Sequence, residues 1–284
     1  KECKGNYIQN YHIYTEEIGK SIQEAQSIVS DMERAMKEEE FVLYLQPKYG
    51  LAEYKLKGAE VLVRWITPEK GMVSPGIPVF EKNGLIMKLD YYIWDKSCRL
   101  IRNWLDRGLE PFPISVNISR VSMYNPRIVE EIYDLTVKYN IPPKYFQLEL
   151  TESAYTDNPG TIKKAMRQLQ EYGFTILMDD FGSGYSSLNV LKDISVDVLK
   201  LDMKFMAASG SENQRRSESI VANVIRLAKD LELPVIAEGE EEKEQVEFLD
   251  SVGCEYVQGY YFAKPMPVEE YEKLAFVIES TLKA

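Results

Sequence analysis

Apolar and polar positions follow two spacings in turn along the chain, and together they predict alternating helices and strands. Apolar residues recur at helical spacing over residues 18–40, and the run FVLYLQPKY (41–49) then reads as a strand. Further strands are predicted at 58–65, 113–119, 146–152, 174–180, 196–202, 234–239 and 256–262. Amphipathic helices are predicted between them at 89–106, 127–139, 160–172, 214–231 and 241–251.

This alternation predicts an α/β fold with a largely parallel sheet. About eight strands within 284 residues suit a closed, TIM-like (βα) barrel, which typically takes ~250 residues. A doubly wound open sheet is the alternative architecture. No glycine-rich dinucleotide fingerprint follows the first predicted strand, which weakens that alternative.

Composition narrows the possible functions. Lys and Arg number 34 against 45 Asp and Glu, a net charge of -11, so binding to DNA or RNA backbones is not expected. His12 is the only histidine, and Cys3, Cys98 and Cys254 lack zinc-site spacing, which argues against histidine-based catalysis and zinc. We expect no membrane span in this chain and a cytoplasmic location, although the full-length protein could be membrane-anchored.

Uncommon polar residues occur at or near the ends of the predicted strands, where a barrel carries its catalytic groups. They are Glu60, Asn117, Glu149, Asp179, Asp180, Lys200, Glu238 and Gln258. Each alone has an ordinary explanation, such as a solvated glutamate, a helix cap or an ion pair. Together they would place uncompensated charge in one barrel mouth, which is very unfavourable without cations.

Divalent ions would resolve that repulsion. Carboxylates and an amide are all oxygen donors, which suits Mg²⁺ or Mn²⁺, and this many carboxylates predicts two ions. Paired metals are a common arrangement for phosphodiester cleavage. Lys200 could then orient a metal-bound water, and the glycines of DFGSGYSS predict a mobile loop beside the metals.

The order of several motifs identifies a known family. The chain contains LQPKY, GAEVLVRW, SVNIS, LELTES, MDDFGSGYSSL, VLKLD, IAEG and VQGYYFAKPM. Over about residues 26–275 it resembles the EAL-domain family, bacterial phosphodiesterases of the second messenger cyclic di-GMP. The resemblance implies a TIM-like barrel whose first strand runs opposite to the others, and hydrolysis of cyclic di-GMP to linear pGpG.

The resemblance also implies residue roles. The metal ligands would be Glu60, Asn117, Glu149, Asp179, Asp180 and Glu238. Lys200 resembles the lysine beside the attacking water, and Glu152 resembles the glutamate that holds the loop at 181–187. Glu60 and Glu238 would also be catalytic, and substrate would contact Gln46, Arg64, Asp180 and Gln258. A guanidinium at position 64 suits a phosphate.

The N-terminal residues are interpreted separately from the barrel. Residues 1–25 are predicted to form a lead-in, and the resemblance implies an EAL phosphodiesterase barrel over residues 26–284. Residues 4–18 resemble the end of a diguanylate cyclase (GGDEF-type) domain, which predicts such a domain upstream. An ordinary polar lead-in is the alternative.

Three departures from the family pattern leave alternatives open. Val61 follows Glu60 where the signature has alanine, the segment 74–86 is about two residues short, and Glu240 stands where valine is usual. The main hypothesis is an active phosphodiesterase, because the whole ligand set is present. The last two departures keep a second hypothesis, a receptor that binds cyclic di-GMP without cleaving it.

Two further alternatives concern the class of enzyme and the oligomeric state. A third, weaker hypothesis is an unrelated metal-dependent barrel, such as an enolising enzyme. A homodimer through the helix predicted at 214–231 competes with ordinary packing of that helix on the barrel.

Overall fold

The computed structural model describes residues 29–69, 71–73, 77–157, 159–182, 195–203, 211–239 and 241–276. Residues 4–18 and Glu240, which were interpreted from the sequence, lie outside these ranges. So does most of the loop after Asp180, from residue 183 to 194.

Strands alternate with helices over the described chain. The strands are β1 (Phe41–Gly50), β2 (Lys55–Thr67), β3 (Gly71–Val73), β4 (Ile114–Asn117), β5 (Phe146–Thr151), β6 (Ile176–Phe181), β7 (Val198–Asp202), β8 (Val235–Glu238), β9 (Tyr256–Gln258) and β10 (Met266–Pro267). The helices are α1 (29–37), α2 (Ile77–Lys82), α3 (Ile86–Asp106), α4 (Arg120–Met123), α5 (Ile128–Lys138), α6 (Glu152–Asp157), α7 (Pro159–Glu171), α8 (Ser211–Asp230), α9 (Lys243–Ser251) and α10 (Val268–Phe276).

Eight of the strands in the described part of the chain close into a barrel. The order around the ring is β1-β9-β8-β7-β6-β5-β4-β2, and β2 pairs back with β1. Strand β1 runs antiparallel to both of its ring neighbours, β2 and β9, and the other ring pairs are parallel. The TIM-like barrel and its reversed first strand are therefore confirmed, and the open sheet is excluded.

A glycine permits the close approach of β2 and β4 that the ring requires. A Cβ atom built on Gly58 would lie 2.7 Å from the carbonyl oxygen of Pro113. Only a residue without a side chain fits there unless the backbone shifts.

Successive strand residues face opposite sides of the wall, and the two sides differ in chemistry. Outward-facing residues such as Val61, Leu148 and Leu199 join the main apolar core, which lies between the barrel and its helices. The inward-facing residues of the same strands are largely polar and contact one another. The fold thus places most of its apolar burial outside the barrel and leaves the interior for polar chemistry.

Most predicted elements are observed, and the differences have local causes. The strand predicted at 256–262 is wrong beyond Gln258, because the amide groups of Phe262 and Ala263 both donate to the carbonyl oxygen of Gly259 and form a turn. Helices α2, α4 and α6 were not predicted, since four to six residues are too few to show a helical period. Helix α10 was missed as well.

Helix α8 bears on the proposed homodimer. Its residues Val221, Ile225 and Ala228 are buried in the core, so its apolar stripe packs on the barrel. Ile220 of the same helix is exposed. A homodimer through this helix stays a prediction. None of the helices in the described part of the chain has the length and apolarity needed to cross a bilayer.

Candidate metal centre

Strand register places several of the predicted residues side by side on adjacent strands of the barrel. Gln46 of β1 lies opposite Glu60 of β2. In the same way Asn117 lies beside Glu149, and Glu238 lies beside Gln258. Each pair belongs to adjacent strands, so its side chains reach the same interior space.

Glu60 lies in the middle of its strand, not at the end as predicted. Strand β2 continues to Thr67 because its last residues pair with β3, beyond the ring. Glu60 is level with Ser115 of β4, two residues below Asn117. Glu60 therefore lies below the end of its own strand, and the rest of β2 extends beyond it.

Lys200 is at the centre of the cluster, and its side chain is 1% exposed. Its ammonium nitrogen lies 3.0 Å from Asp179 Oδ1, 2.8 Å from Glu238 Oε1 and 3.3 Å from Glu60 Oε2. It also donates to Glu149 Oε2. One cation is thus shared by four carboxyl groups from four strands.

Three of these carboxyl groups have the spacing of metal ligands. Glu60, Glu149 and Asp179 are all buried, and each offers an oxygen within 4.8 Å of the other two. The donors are all oxygens, which suits a hard divalent cation, and the Lys200 ammonium already shows that a cation is accommodated among them. Gln258 Oε1 is buried and has no hydrogen-bond partner among the described residues. The residues present therefore fit a divalent metal.

The neutral amides order Glu60. Asn117 Nδ2 donates to Glu60 Oε1 at 3.0 Å, and Gln258 Nε2 donates to Glu60 Oε2 at 2.5 Å. Gln258 Nε2 also lies 3.4 Å from Gln46 Oε1, and Gln46 Nε2 lies 3.5 Å from the carbonyl oxygen of Ala263. Gln258, which is predicted to contact substrate, thus helps to hold Glu60, a predicted metal ligand, in place.

Helix α3 holds the strand end that carries Asn117. Trp94 Nε1 donates to the carbonyl oxygen of Asn117 at 3.1 Å. The buried Asp90 carboxylate accepts from the amide of Ser119 at 3.0 Å and from the Ser122 hydroxyl at 2.6 Å. Burial raises the pKa of Asp90, and these hydrogen bonds oppose that effect. The backbone that directly follows the Asn117 side chain is therefore anchored from outside the barrel.

Crowding gives the carboxyl groups different proton affinities. Burial and the neighbouring charge of Glu149 raise the pKa of Glu60, and burial raises the pKa of Glu238 well above its usual range, against the opposing charge of Lys200. Burial alone would also raise the pKa of Glu149, but Lys200 and Lys48 outweigh it and lower that pKa to about 2. Burial alone would lower the pKa of Lys200, and the carboxylates of Glu149 and Glu238 raise it instead. Glu149 and Lys200 are therefore both charged at neutral pH.

The adjacent residues Asp179 and Asp180 of β6 differ in burial and in backbone conformation. Asp179 is buried and contacts Lys200, and its Oδ1 accepts the backbone amide of Asp180 at 2.9 Å. Asp180 is half-buried and has a φ of 55° in the left-handed region. This conformation interrupts the strand alternation, so Asp180 is not simply on the opposite face from Asp179.

A second cationic residue was missed by the sequence interpretation. Lys48 of β1 is 4% exposed, and its ammonium lies 2.8 Å from Glu149 Oε1 and 2.6 Å from Ser115 Oγ. The signal was present, since positions 46 and 48 lie on one face of a strand and Gln46 was already predicted to face the site.

A cleft beside the strand end that carries Asn117 includes Arg64 in its lining. Its volume is about 540 Å³, and its walls include Arg64, Asn117, Arg120 and Ile77. The Arg64 guanidinium lies 5.6 Å from the centre of the Tyr44 ring and donates to the carbonyl oxygen of Val63 at 3.0 Å. A predicted anion-binding residue therefore lies in the same cleft as a predicted metal ligand.

Glu152 is buried at the start of helix α6, directly after β5. The loop that it is predicted to hold lies largely outside the described residues. Its role therefore stays a prediction.

The departures from the family pattern fall in different places. Val61 is 3% exposed and belongs to the outer apolar core, so it faces away from the ligand cluster. Residues 77–86 include helix α2, and Ile77 and Ile86 line the cleft near Arg64. The short segment therefore forms part of the wall of the cleft.

Comparison with known proteins agrees with this geometry. A family model described as the EAL domain matches residues 29–265. The chain is 36% identical over 250 residues to the Bacillus subtilis signaling protein YkoW, a match that covers 87% of this chain and 31% of YkoW. It is 32% identical over 262 residues to the bifunctional diguanylate cyclase/cyclic di-GMP phosphodiesterase MucR of Pseudomonas aeruginosa, covering 92% of this chain and 38% of MucR.

A solved structure described as the PaMucR phosphodiesterase, c-di-GMP complex, has a TM-score of 0.79 and 33% identity, covering 86% of this chain and 99% of that chain. The chain spans about a third of the length of the curated relatives above, 31% of YkoW and 38% of MucR. The family model covers well over half of the sequence, and the chain belongs to the EAL domain family.

Proposed function

We propose that this chain is a metal-dependent phosphodiesterase that hydrolyses cyclic di-GMP to linear pGpG. The observation that carries the proposal is the buried set of Glu60, Glu149 and Asp179 around Lys200. Arg64 lines a cleft that also includes Asn117, a further predicted ligand. Relatives named as cyclic di-GMP phosphodiesterases support the choice of substrate. The oxygen ligands support Mg²⁺ or Mn²⁺.

Each residue has a distinct part in this proposal. The residues that would hold the metal are Glu60, Asn117, Glu149, Asp179, Asp180 and Glu238, enough for two ions. The bound ions would activate a water and stabilise charge on the phosphodiester oxygens. Arg64 would bind a phosphate in the cleft, and Gln46 and Gln258 would contact the nucleotide.

Lys200 is suited to act on the attacking water. Its buried ammonium stays protonated, so it is a donor that orients a water and stabilises developing negative charge rather than a base. Glu238 contacts this ammonium and, once deprotonated, could accept the proton of that water. Glu152 would hold the loop at 181–187 over the site.

The direct test is product formation. The purified chain is incubated with cyclic di-GMP and Mg²⁺ or Mn²⁺, and the products are separated by chromatography against an EDTA control. We expect pGpG only in the presence of metal. Glu60→Gln and Lys200→Met should abolish turnover, whereas Glu53→Gln, which alters an exposed turn glutamate, should retain it.

The other outcomes are informative. Binding of cyclic di-GMP by calorimetry with no product under saturating metal would indicate a non-hydrolysing receptor instead. Unchanged turnover in both Glu60→Gln and Lys200→Met would contradict the mechanism. Absence of nucleotide binding would contradict the substrate.

The wider setting is part of the same proposal. The chain matches a minor share of YkoW and MucR, and MucR is named as a diguanylate cyclase as well as a phosphodiesterase. We propose that this barrel works in the cytoplasm within a longer signalling protein that has a GGDEF-type domain upstream. Static light scattering would test the predicted homodimer, which a monomer at high concentration would contradict.

A further inference from the structure

Lys48 is a buried cation that the proposed reaction does not use. It lies on β1, the only reversed strand of the ring, two residues beyond Gln46 and opposite Gly58 of β2. Its side chain is 5% exposed, and the Glu149 side chain beneath it is 0% exposed. A buried ammonium is costly to maintain, so a position of this kind calls for a specific role.

Lys48 and Lys200 hold different atoms of the same carboxylate. Lys48 Nζ lies 2.8 Å from Glu149 Oε1, whereas Lys200 donates to Glu149 Oε2. Only the second oxygen is on the side of Lys200, which also contacts Glu60 and Asp179. The carboxylate is thus held from both sides, and its two oxygens have separate partners.

Ser115 fixes the position of the Lys48 ammonium. Ser115 Oγ lies 2.6 Å from Lys48 Nζ and 3.3 Å from the carbonyl oxygen of Ala59. The hydroxyl can therefore accept from Lys48 while it donates to the β2 backbone. This arrangement ties the ammonium to strands β2 and β4 of the wall.

We propose that Lys48 is a positioning residue that reserves one oxygen of Glu149, so that Glu149 offers a bound cation only its other oxygen. This inference rests on the proposed metal centre and adds a determinant of its metal preference. Ca²⁺ accepts both oxygens of one carboxylate and takes six to eight ligands, whereas Mg²⁺ needs compact octahedral geometry. A Glu149 restricted to one oxygen favours the smaller ion.

The test measures metal binding without nucleotide or turnover. Ca²⁺ and Mg²⁺ are titrated separately into the parent, Lys48→Met, Lys48→Arg and Lys55→Met by calorimetry. Removal of a charge alone would alter the affinity for both divalent ions alike, so the ratio of the two affinities isolates the effect on Glu149. Residues that orient metal ligands commonly change affinity by about 10- to 100-fold.

We expect Lys48→Met to raise the ratio of Ca²⁺ to Mg²⁺ affinity by about tenfold. Lys48→Arg keeps a donor for Glu149 Oε1 and should retain the parent ratio. Lys55→Met removes a lysine whose side chain is 72% exposed and is the matched control. An unchanged ratio in folded Lys48→Met would overturn the proposal.

If Lys48→Met does not fold by circular dichroism, Lys48→Gln replaces it, because its shorter polar side chain cannot reach Glu149 as lysine does.

Two further results distinguish failure of this inference from failure of the proposed function. Should the parent itself bind neither ion, the metal centre and the role of Lys48 both fail. If the parent binds Mg²⁺ and only the ratio fails to move, the role of Lys48 alone is wrong.

Discussion

Lys200 neutralises a cluster that would otherwise repel itself. Four carboxyl groups surround its ammonium, and three of them, Glu60, Glu149 and Asp179, have the mutual spacing of metal ligands. The same side chain therefore has a structural part before it has any catalytic one. Its loss should affect stability as well as turnover.

Lys200→Met should lower the stability of the metal-free protein, because it leaves buried carboxylates without their shared cation. Loss of one partner of a buried pair costs about 3–5 kcal/mol. The measurement is thermal unfolding in EDTA and again in Mg²⁺, and we expect Mg²⁺ to recover part of the loss.

The control for this prediction is Lys55→Met, a surface change that should shift stability by no more than ~0.5 kcal/mol. Equal unfolding temperatures for Lys200→Met and the parent in EDTA would contradict the argument.

Proton release on metal binding follows from the raised pKa values of Glu60 and Glu238. A carboxyl group whose pKa is raised retains its proton to higher pH, and a cation must displace that proton. Affinity for Mg²⁺ should therefore rise as pH rises. Calorimetry in two buffers of different protonation enthalpy measures the protons released, and Glu238→Gln should release fewer. Affinity that is independent of pH would contradict the predicted displacement of protons by the metal.

Helix α1 is joined to the wall of the barrel by a small second core. Met32 and Ala35 of the helix pack with Phe41 and Trp65 of strands β1 and β2. Glu40 links the same elements, because its carboxylate accepts from Trp65 Nε1 at 2.8 Å and from Arg34 Nη1 at 2.5 Å. The helix is thus coupled to the part of β2 that carries Arg64.

Glu40→Gln should reduce stability at neutral pH and remove an acid dependence. The hydrogen bond from Trp65 lowers the pKa of Glu40, with burial opposing it and Arg34 assisting. A carboxyl group with a lowered folded pKa contributes stability above the ordinary value of 4.5, and loses it as pH falls through the folded pKa. The expected loss near neutral pH is about 1.5–3 kcal/mol, typical of a hydrogen bond to a charged group.

Urea unfolding of the parent and the variant at several pH values measures this effect. The difference between them should shrink below about pH 4.5. A difference that stays constant into acid would show that the Glu40 charge is unimportant. Glu69→Gln, which alters an exposed glutamate in the turn after β2, is the matched control.

Across the whole molecule the barrel wall separates two kinds of stabilisation. Outward residues such as Val61 bury apolar surface against the helices, whereas inward residues such as Glu60 hold charge around a candidate cation site. Neighbours in the sequence therefore contribute to different properties. This separation makes the second residue of the family signature independent of the chemistry.

Val61→Ala should lower stability and leave metal affinity and turnover unchanged. Loss of buried methyl groups with some cavity formation costs about 1–3 kcal/mol. Glu60→Gln should instead lower metal affinity and turnover. Unfolding in denaturant and calorimetry on both variants measure the contrast. A large loss of turnover in a stably folded Val61→Ala would contradict the separation.

Much of the architecture could be predicted from local patterns. The alternation between strand-like and helix-like spacing of apolar residues located the eight ring strands. It could do so because each strand carries outward-facing apolar residues that pack against the helices. It failed where the signal was short or misleading, as in four-residue α4 and in the aromatic run after Gln258, where Gly259 begins a turn. The same patterns located the acidic cluster residues, since charges inside apolar runs are rare without a purpose.

The sequence by itself determined the strand order along the chain, the polar residues on each strand and the family. Only the tertiary structure decided that Lys200 lies among four carboxylates, that Lys48 and Lys200 hold opposite oxygens of Glu149, and that Glu60 lies below the end of its own strand. The physical reason is that a strand pattern specifies which face a side chain takes. The distance between side chains on different strands depends on the strand register, which is set only when the barrel closes.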